Sequence, residues 1–237
     1  VDRLSAYSAG RINCYVACLS DQKKEFFYHG AQCFCIPVPE IGPAKAIYYD
    51  CAALDCFIAF CQAHPEITHP IFYVLACRIG FAIGHYRRRI HQLGGVLYVN
   101  PDGQEWKRKK WSLPVRRYWK YSEGQMVRKA DRLVCDSRAI EAYIQKEYAQ
   151  RQTVYIAYGA EKIPLAAPEQ LDTWLAAHSL SRDNYYILVG RFVPENNFET
   201  IIRAFMASDS SKKLAIITGE NRKLLEKIRK STACDRD

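Results

Sequence analysis

The chain has 237 residues, of which 49% are hydrophobic, and a formal net charge of +9. This length and apolar content allow a sizeable buried core, which excludes a disordered protein. The longest apolar stretch, Ile71–Gly84, is interrupted by Arg78 and is too short to span a membrane. The ten cysteines lie mostly in apolar runs and form no CxxC pair, which indicates free thiols in a reducing cytosol.

Strand-like and helix-like segments alternate through residues 1–160. Near-continuous apolar runs such as Ile71–Arg78 predict strands that are buried on both faces, whereas longer segments with helical apolar spacing predict helices. The predicted strands are Ile12–Ser20, Gln32–Val38, Ile71–Arg78, Gly94–Asn100, Arg132–Ser137 and Thr153–Gly159. The predicted helices are Ala44–His64, Phe81–His91, Ser112–Ala130 and Arg138–Ala149.

This alternation breaks once and then resumes. Residues 160–184 are less periodic and contain two prolines, although Glu169–His178 has the pattern of a helix. The later predicted elements are strands at Tyr185–Arg191 and Lys213–Gly219 and helices at Asn197–Ala207 and Arg222–Lys230.

Alternating β and α units predict an α/β fold with parallel, doubly wound sheets. The break in the alternation predicts a domain boundary. We expect a first domain at residues 1–160, a connection at 161–184 and the start of a second domain at 185–237. Two βα units are too few for a complete domain, so the sequence is expected to be a fragment of a longer protein.

The positive charge is concentrated in one segment. His85–Arg132 carries thirteen Lys and Arg against four Asp and Glu, so the rest of the chain is neutral overall. Cations interleaved with aromatic residues predict a surface that meets an anionic partner. The pattern leaves open a nucleic acid, a membrane surface, a phosphorylated substrate, or a solvated basic helix without a partner.

Polar residues that follow predicted strands are the candidate site, because ligands of parallel α/β sheets bind beyond the carboxyl ends of the strands. The loop after Gly94–Asn100 holds two carboxylates, a tryptophan and two cations, which is more than an Asp-Gly turn requires. Its candidate residues are Asp102, Gly103, Glu105, Trp106, Lys107 and Arg108.

Three other strand ends carry candidates. Ser137 opens a helix and can cap its backbone N–H groups, with or without a further role. Tyr158 and Gly159 follow the next strand, where the chain leaves the first domain and a hinge is an alternative interpretation. Gly190 and Arg191 precede a helix N-terminus, a combination that suits an anion or a simple capped loop.

Common cofactor motifs are missing from the sequence. It contains no GxxxxGK[ST] loop, no GxGxxG fingerprint and no HExxH pair. We therefore expect neither a P-loop NTPase nor a dinucleotide-dependent oxidoreductase, and no bound cofactor or catalytic metal.

Four motifs in order along the chain carry a family resemblance. VNPDGQEWKRKKW, KADRLVCDS, YIAYGA and VGRFVPENNFETII resemble bacterial rhamnosyltransferases of glycosyltransferase family 4, of the β1-4 type that builds capsule and cell-wall polysaccharide. The resemblance also includes VACLSD and IGPAKAIYYD, and it runs over essentially the whole chain.

The resemblance implies a GT-B architecture, in which two Rossmann-like domains face each other. It implies a metal-independent, retaining transfer from a nucleotide sugar, dTDP-L-rhamnose, to a lipid-diphosphate-linked saccharide. The enzyme would be cytoplasmic and would bind peripherally to the anionic inner face of the cell membrane. Another sugar nucleotide, carrying glucose or N-acetylglucosamine, and a basic nucleic-acid-binding protein are the alternatives.

The resemblance, together with the strand-end positions and the charge pattern, predicts roles for individual residues. The catalytic candidates are Asp102, Gly103 and Glu105, and the cleft candidates are Trp106, Lys107, Arg108, Ser137, Tyr158 and Gly159. The donor diphosphate would be held by Gly190, Arg191, Asn196 and Asn197, where the family's G-R-x-x-x-x-K pattern has an asparagine in place of the lysine. The membrane-facing candidates are Arg116, Arg117, Trp119 and Lys120.

Both ends of the chain depart from the family. Family members begin with a strand and a Gly-rich loop, and they carry a donor-binding glutamate motif late in the second domain. Neither is present in this sequence. The polypeptide is therefore predicted to show no transferase activity by itself.

Overall fold

The computed structural model describes residues 10–108, 110–149, 152–160, 162, 164 and 166–232. The chain divides into two compact units, residues 1–160 and residues 161–237. The segment at 161–184, which the sequence predicts as a connection, falls in the second unit and contains a helix, Pro168–Ala177.

The first unit alternates strands and helices, and its sheets are mainly parallel. Its strands are β1 (Cys14–Ser20), β2 (Glu25–Tyr28), β3 (Ala31–Pro37), β4 (Ile71–Leu75), β5 (Val96–Asn100), β6 (Arg132–Cys135) and β7 (Thr153–Tyr155). Its helices are α1 (Lys45–Ala63), α2 (Ile83–Gln92), α3 (Leu113–Lys129) and α4 (Arg138–Tyr148). β1 pairs in parallel with β3, and β4, β5, β6 and β7 form an all-parallel sheet in that order. The predicted α/β fold with parallel sheets is confirmed.

β2 is a strand that the sequence pattern did not predict. It pairs antiparallel with β3 across a tight turn at His29 and Gly30, which have φ angles of 46° and 82°. All four β2 residues are exposed, so the strand lacks the alternation of buried and exposed side chains that marks a strand in a sequence. The turn geometry, rather than burial, sets this hairpin.

β4 differs from its prediction in two ways. It ends before Ala76, because a φ of 70° at that residue interrupts the extended backbone. It is also buried on only one face, the face that carries Phe72 and Val74. The apolar side chains on its other face are exposed, so the expectation of a strand buried on both faces was wrong.

The main core of the first unit lies between the sheet β4–β7 and the four helices. Its fully buried side chains are Ile58, Ile79, Ile83, Ile90, Leu97, Val99, Met126, Val127, Leu133, Cys135 and Ile144. By length and composition, α1 is the one helix among the described residues that could cross a membrane. Its Leu54 and Ile58 pack in this core, and its buried Asp50 pairs with Arg78, an arrangement that also fits a core helix.

The second unit has its own small core. It contains α5 (Pro168–Ala177), β8 (Tyr185–Val189), α6 (Phe198–Met206), β9 (Lys213–Ile217) and α7 (Arg222–Thr232). β8 and β9 pair in parallel, as the alternating pattern predicts. Phe192, Phe198, Leu224 and Ile228 are packed together, with the rings of Phe192 and Phe198 edge to face.

The segment that follows β4 is fixed against α3 by close backbone contacts. The Gly80 N–H donates to the Ser122 hydroxyl at 2.7 Å, and the Tyr118 hydroxyl donates to the Arg78 carbonyl at 2.6 Å. A Cβ at Gly80 would lie 2.4 Å from the Ser122 Cα and 2.6 Å from its carbonyl oxygen. Only glycine lets the chain approach the helix this closely, and this approach places Arg78.

We expect Gly80→Ala to destabilise the first unit by about 2 kcal/mol or more, because the clash is with backbone atoms that cannot rotate away. Urea unfolding monitored by circular dichroism would measure the loss. Gly103→Ala is the matched control, since nothing lies within 4 Å of its Cβ position and its φ is not positive. Equal stabilities of the two variants would contradict the assigned role of Gly80.

Candidate functional site

The carboxyl ends of β5, β6 and β7 bring predicted site residues together. Asp102 follows β5, Asp136 follows β6 and Tyr158 follows β7. Partial burial, a hydrogen bond with Asp136 and the nearby charge of Asp102 raise the pKa of Tyr158, so these three groups share one neighbourhood. The predicted parallel strands were enough to indicate that a ligand site would lie at this edge of the sheet.

A cavity of about 180 Å³ opens beside the ends of β4 and β5. It lies wholly within the first unit. Its lining combines three tryptophans, three carboxylates and one arginine with small residues. The lining residues are Ala46, Ala76, Cys77, Arg78, Pro101, Asp102, Gly103, Glu105, Trp106, Trp111, Trp119 and Glu123.

The backbone at the mouth of the cavity is strained. Ala76 and Asp102 both have positive φ angles, 70° and 55°, which are uncommon for residues other than glycine. Buried Asn100 holds both: its side-chain oxygen accepts from the Asp102 N–H at 2.8 Å and its carbonyl accepts from the Ala76 N–H at 2.9 Å. Strain that neighbouring bonds over-determine is typical of functional sites.

Glu105, a predicted catalytic residue, is engaged in holding its own loop. Its carboxylate accepts from the Trp111 indole N–H at 3.0 Å and pairs with Arg108 at 2.9 Å. Asp102 is different. Its backbone N–H donates to Asn100, but its carboxylate makes no hydrogen bond or ion pair with any residue that the structure describes. Asp102 is therefore the cavity carboxylate available to a ligand.

Trp106, Trp111 and Trp119 form the tryptophan wall of the cavity, and neighbouring residues fix it in place. The Arg116 guanidinium donates to the Trp106 carbonyl at 2.7 Å, and the rings of Trp111 and Trp119 lie 6.1 Å apart. Within the described ranges, the indole N–H groups of Trp106 and Trp119 are buried and have no hydrogen-bond partner. An unsatisfied buried donor costs about 1–3 kcal/mol, so two of them in one cavity wall require an explanation.

An ionic cluster around the buried Glu123 is in contact with this wall. Glu123 on α3 is 4% exposed and accepts hydrogen bonds from the hydroxyls of Tyr143 and Tyr148 on α4. Lys120 donates to both hydroxyls, at 2.6 and 2.9 Å, and forms ion pairs with Glu123 and Glu147. Burial alone would lower the pKa of Lys120, but bonds to Glu147 and Tyr143 and the charge of Glu123 raise it.

The Lys120 ammonium also lies over aromatic rings. Its nitrogen is 4.7 Å from the centroid of the Trp106 ring and 5.2 and 4.8 Å from those of Tyr143 and Tyr148. Lys107 approaches the Trp106 ring as well, at 5.1 Å. These cation–π contacts connect the buried cluster to a residue of the cavity wall.

The four residues predicted to face the membrane do not share one exposed surface. Trp119 lines the cavity, Lys120 belongs to the buried cluster and Arg116 bonds to the Trp106 carbonyl. Arg117 is the one of the four whose side chain is exposed. Helix α3 turns most of these residues inward because it packs against both the 101–108 loop and α4.

Ser137 and Gly159 have ordinary local surroundings. The Ser137 side chain accepts from the Ala139 N–H at 3.2 Å, so it caps α4. Gly159 is exposed beyond the end of β7. The capping interpretation of Ser137 is confirmed, and its further role in a cleft stays a prediction.

In the second unit, the loop after β8 is held by its asparagines. The Asn196 amide donates to the Arg191 carbonyl at 2.7 Å, and the Asn197 amide contacts the Glu195 carbonyl at 3.4 Å. A Cβ at Gly190 would lie 3.4 Å from the Asn196 amide nitrogen. The asparagine side chains thus shape the loop, which leaves the exposed Arg191 as its candidate for binding an anion.

Sequence reasoning missed several residues of this site. Arg78 gave a signal, since it is the one charge within the apolar stretch Ile71–Gly84, and Glu123 is the one acid on a basic helix. Asp50, Tyr143 and Tyr148 gave none, because their partners are distant in sequence.

The parallel α/β fold of the chain is similar to that of a glycosyltransferase of the GT-B type. The sucrose-phosphate synthase from Thermosynechococcus elongatus, a glycosyltransferase, has a similar structure with a TM-score of 0.71 at 15% sequence identity. The match covers 97% of this chain and 60% of that chain.

The family assignment comes from the first unit. The chain belongs to the family described as a domain of unknown function, DUF1972, whose sequence model matches residues 1–161. None of the curated proteins matches the chain.

We expect Lys120→Met to lower the free energy of unfolding by about 2 kcal/mol, because it leaves the buried Glu123 carboxylate without its cation. Lys120→Arg should restore most of that loss. Lys129→Met on the same helix is the control, since Lys129 is exposed. Urea unfolding compares the three variants. A loss no greater than that of Lys129→Met would show that the cluster does not stabilise the fold.

Proposed function

We propose that the protein is a glycosyltransferase that uses a nucleotide sugar. The observation that carries the proposal is the cavity at the ends of β4 and β5, in a fold shared with a known glycosyltransferase. Ligands of this class of fold bind at this edge of the sheet. The tryptophans and the available Asp102 carboxylate suit a sugar, because indole rings stack on the apolar face of a pyranose and carboxylates accept its hydroxyl groups.

The substrates follow from the motif resemblance. We assign the donor as dTDP-L-rhamnose and the acceptor as a lipid-diphosphate-linked saccharide of bacterial surface polysaccharide synthesis. The reaction would be retaining and metal-independent. Arg191 would contact the donor diphosphate, for which a guanidinium offers paired N–H donors. A sugar nucleotide that carries glucose or N-acetylglucosamine is the alternative donor.

The same proposal places the protein at the cytoplasmic face of the membrane. Several cations of the His85–Arg132 segment are exposed, among them Arg88, Lys110 and Arg117. Each such residue near an anionic lipid surface contributes roughly 1 kcal/mol to binding. A lipid-linked acceptor requires the enzyme to work at this surface.

A donor screen tests the proposed reaction. The complete gene product should transfer labelled sugar from dTDP-L-rhamnose to a lipid-diphosphate-linked saccharide, faster than from the glucose or N-acetylglucosamine nucleotides. Arg191→Ala should raise the donor KM at least tenfold, the equivalent of one lost charged hydrogen bond of about 1.4 kcal/mol. Arg222→Ala, at an exposed position of α7, is the control. Absence of transfer from every donor would refute the proposal.

Sedimentation with liposomes tests the location. The chain should bind vesicles that contain anionic lipid and should release them as salt is raised, because the attraction is screened. Neutral vesicles should not bind. Tighter binding to single-stranded DNA than to anionic vesicles at equal salt would instead support the nucleic-acid alternative.

A further inference from the structure

The cavity differs in charge from the basic segment that supplies most of its lining. The segment His85–Arg132 is strongly basic, and its charge alone predicts an anionic ligand. Apart from Lys107, which lies over the Trp106 ring, the cations that reach the cavity or its supporting cluster are already matched. Arg78 donates to both carboxylate oxygens of buried Asp50 at 3.1 Å, Arg108 pairs with Glu105, and Lys120 pairs with Glu123 and Glu147.

The charge left in the cavity is negative. The Asp102 carboxylate has no side-chain partner among the residues that the structure describes. A diphosphate placed here would face the unpaired Asp102 carboxylate, because Glu105 and Glu123 are matched by Arg108 and Lys120. Arg78, the one cation among the described lining residues, is already paired with Asp50. Like charges repel each other, so the Asp102 carboxylate opposes the binding of a diphosphate at this position. The cavity therefore disfavours an anion.

The remaining groups suit a neutral ligand with many hydroxyls. Trp106, Trp111 and Trp119 provide flat apolar surfaces, and Asp102 provides a charged acceptor for hydroxyl donors. The indole N–H groups of Trp106 and Trp119 have no partner in the described structure, and hydroxyl oxygens of a ligand are acceptors that suit such donors. A pyranose ring carries all three features: an apolar face, hydroxyl donors and hydroxyl acceptors.

We propose that this cavity binds one uncharged pyranose ring, the sugar of the saccharide acceptor, and excludes the diphosphate of that acceptor. Its identification as an acceptor subsite rests on the proposed glycosyltransferase function, whereas the preference for a neutral sugar rests on the cavity alone. The Lys120 cluster acts by positioning the Trp106 ring.

A fluorescence titration tests the cavity directly. The sequence has four tryptophans, and Trp174, in the second unit, is the one outside the cavity lining. In the 237-residue chain carrying Trp174→Phe, the indole emission therefore reports on the cavity. Methyl α-L-rhamnopyranoside and methyl β-D-glucopyranoside should change this emission saturably. Inorganic pyrophosphate at equal ionic strength should not.

Variants locate the response. Asp102→Asn should weaken glycoside binding about tenfold, because it removes a charged hydrogen-bond acceptor, and asparagine tolerates the positive φ at this position. Trp106→Leu should abolish the response. Asp209→Asn, at an exposed position of the second unit, is the matched control and should bind like the parent. Circular dichroism establishes that each variant is folded.

The outcomes separate this inference from the proposed function. Saturable binding of pyrophosphate without binding of either glycoside overturns the inference, as does an unchanged glycoside affinity in Asp102→Asn. Glycoside binding that depends on Asp102, in a complete gene product that transfers no sugar, sustains the neutral-sugar cavity and refutes the transferase. Sugar transfer with an acceptor KM unaffected by Asp102→Asn refutes the subsite and leaves the transferase standing.

Discussion

The buried carboxylate of Glu123 is the constraint on which the first unit depends. A charge at 4% exposure is tolerated only if hydrogen bonds and an opposite charge compensate for its lost hydration. Tyr143 and Tyr148 come from α4 and Lys120 comes from α3, so satisfying this one group ties two helices together. Because Lys120 also lies over Trp106, the same requirement fixes one wall of the cavity.

The cluster explains why a basic segment builds a site that is not basic. The charge count of His85–Arg132 treats every cation as available to a partner. In the folded chain, Arg116 bonds to a backbone carbonyl, Arg108 pairs with Glu105, and the partly buried Lys120 pairs with Glu123. Net charge predicts how a surface attracts a partner at long range. It does not predict the chemistry of a cavity, which depends on the charges that remain unpaired after folding.

Most of the fold could be predicted from the sequence, since local patterns carry it. The helix α3 begins and ends within one residue of its prediction, because its apolar spacing and its flanking residues are local signals. β2 could not be predicted, as a fully exposed four-residue strand has no burial pattern. The candidate site divides in the same way: Asp102 follows from strand order, whereas the Asp50–Arg78 pair joins residues 28 positions apart and leaves no local trace.

Rigid support at both ends of the Trp106 segment has a consequence for binding. The backbone carbonyl of Trp106 is held by Arg116 and its ring lies under Lys120. At the strand ends, Asn100 holds the strained backbone of Ala76 and Asp102. A ligand that enters such a cavity orders few side chains, so little of its interaction energy is lost to conformational entropy. The strained backbone at the strand ends and the buried Glu123 cluster therefore act together on the shape of the cavity. The backbone strain costs stability in the empty protein, whereas Lys120 and the two tyrosine hydroxyls compensate for the buried charge of Glu123. Together they hold the cavity in a shape ready for its ligand.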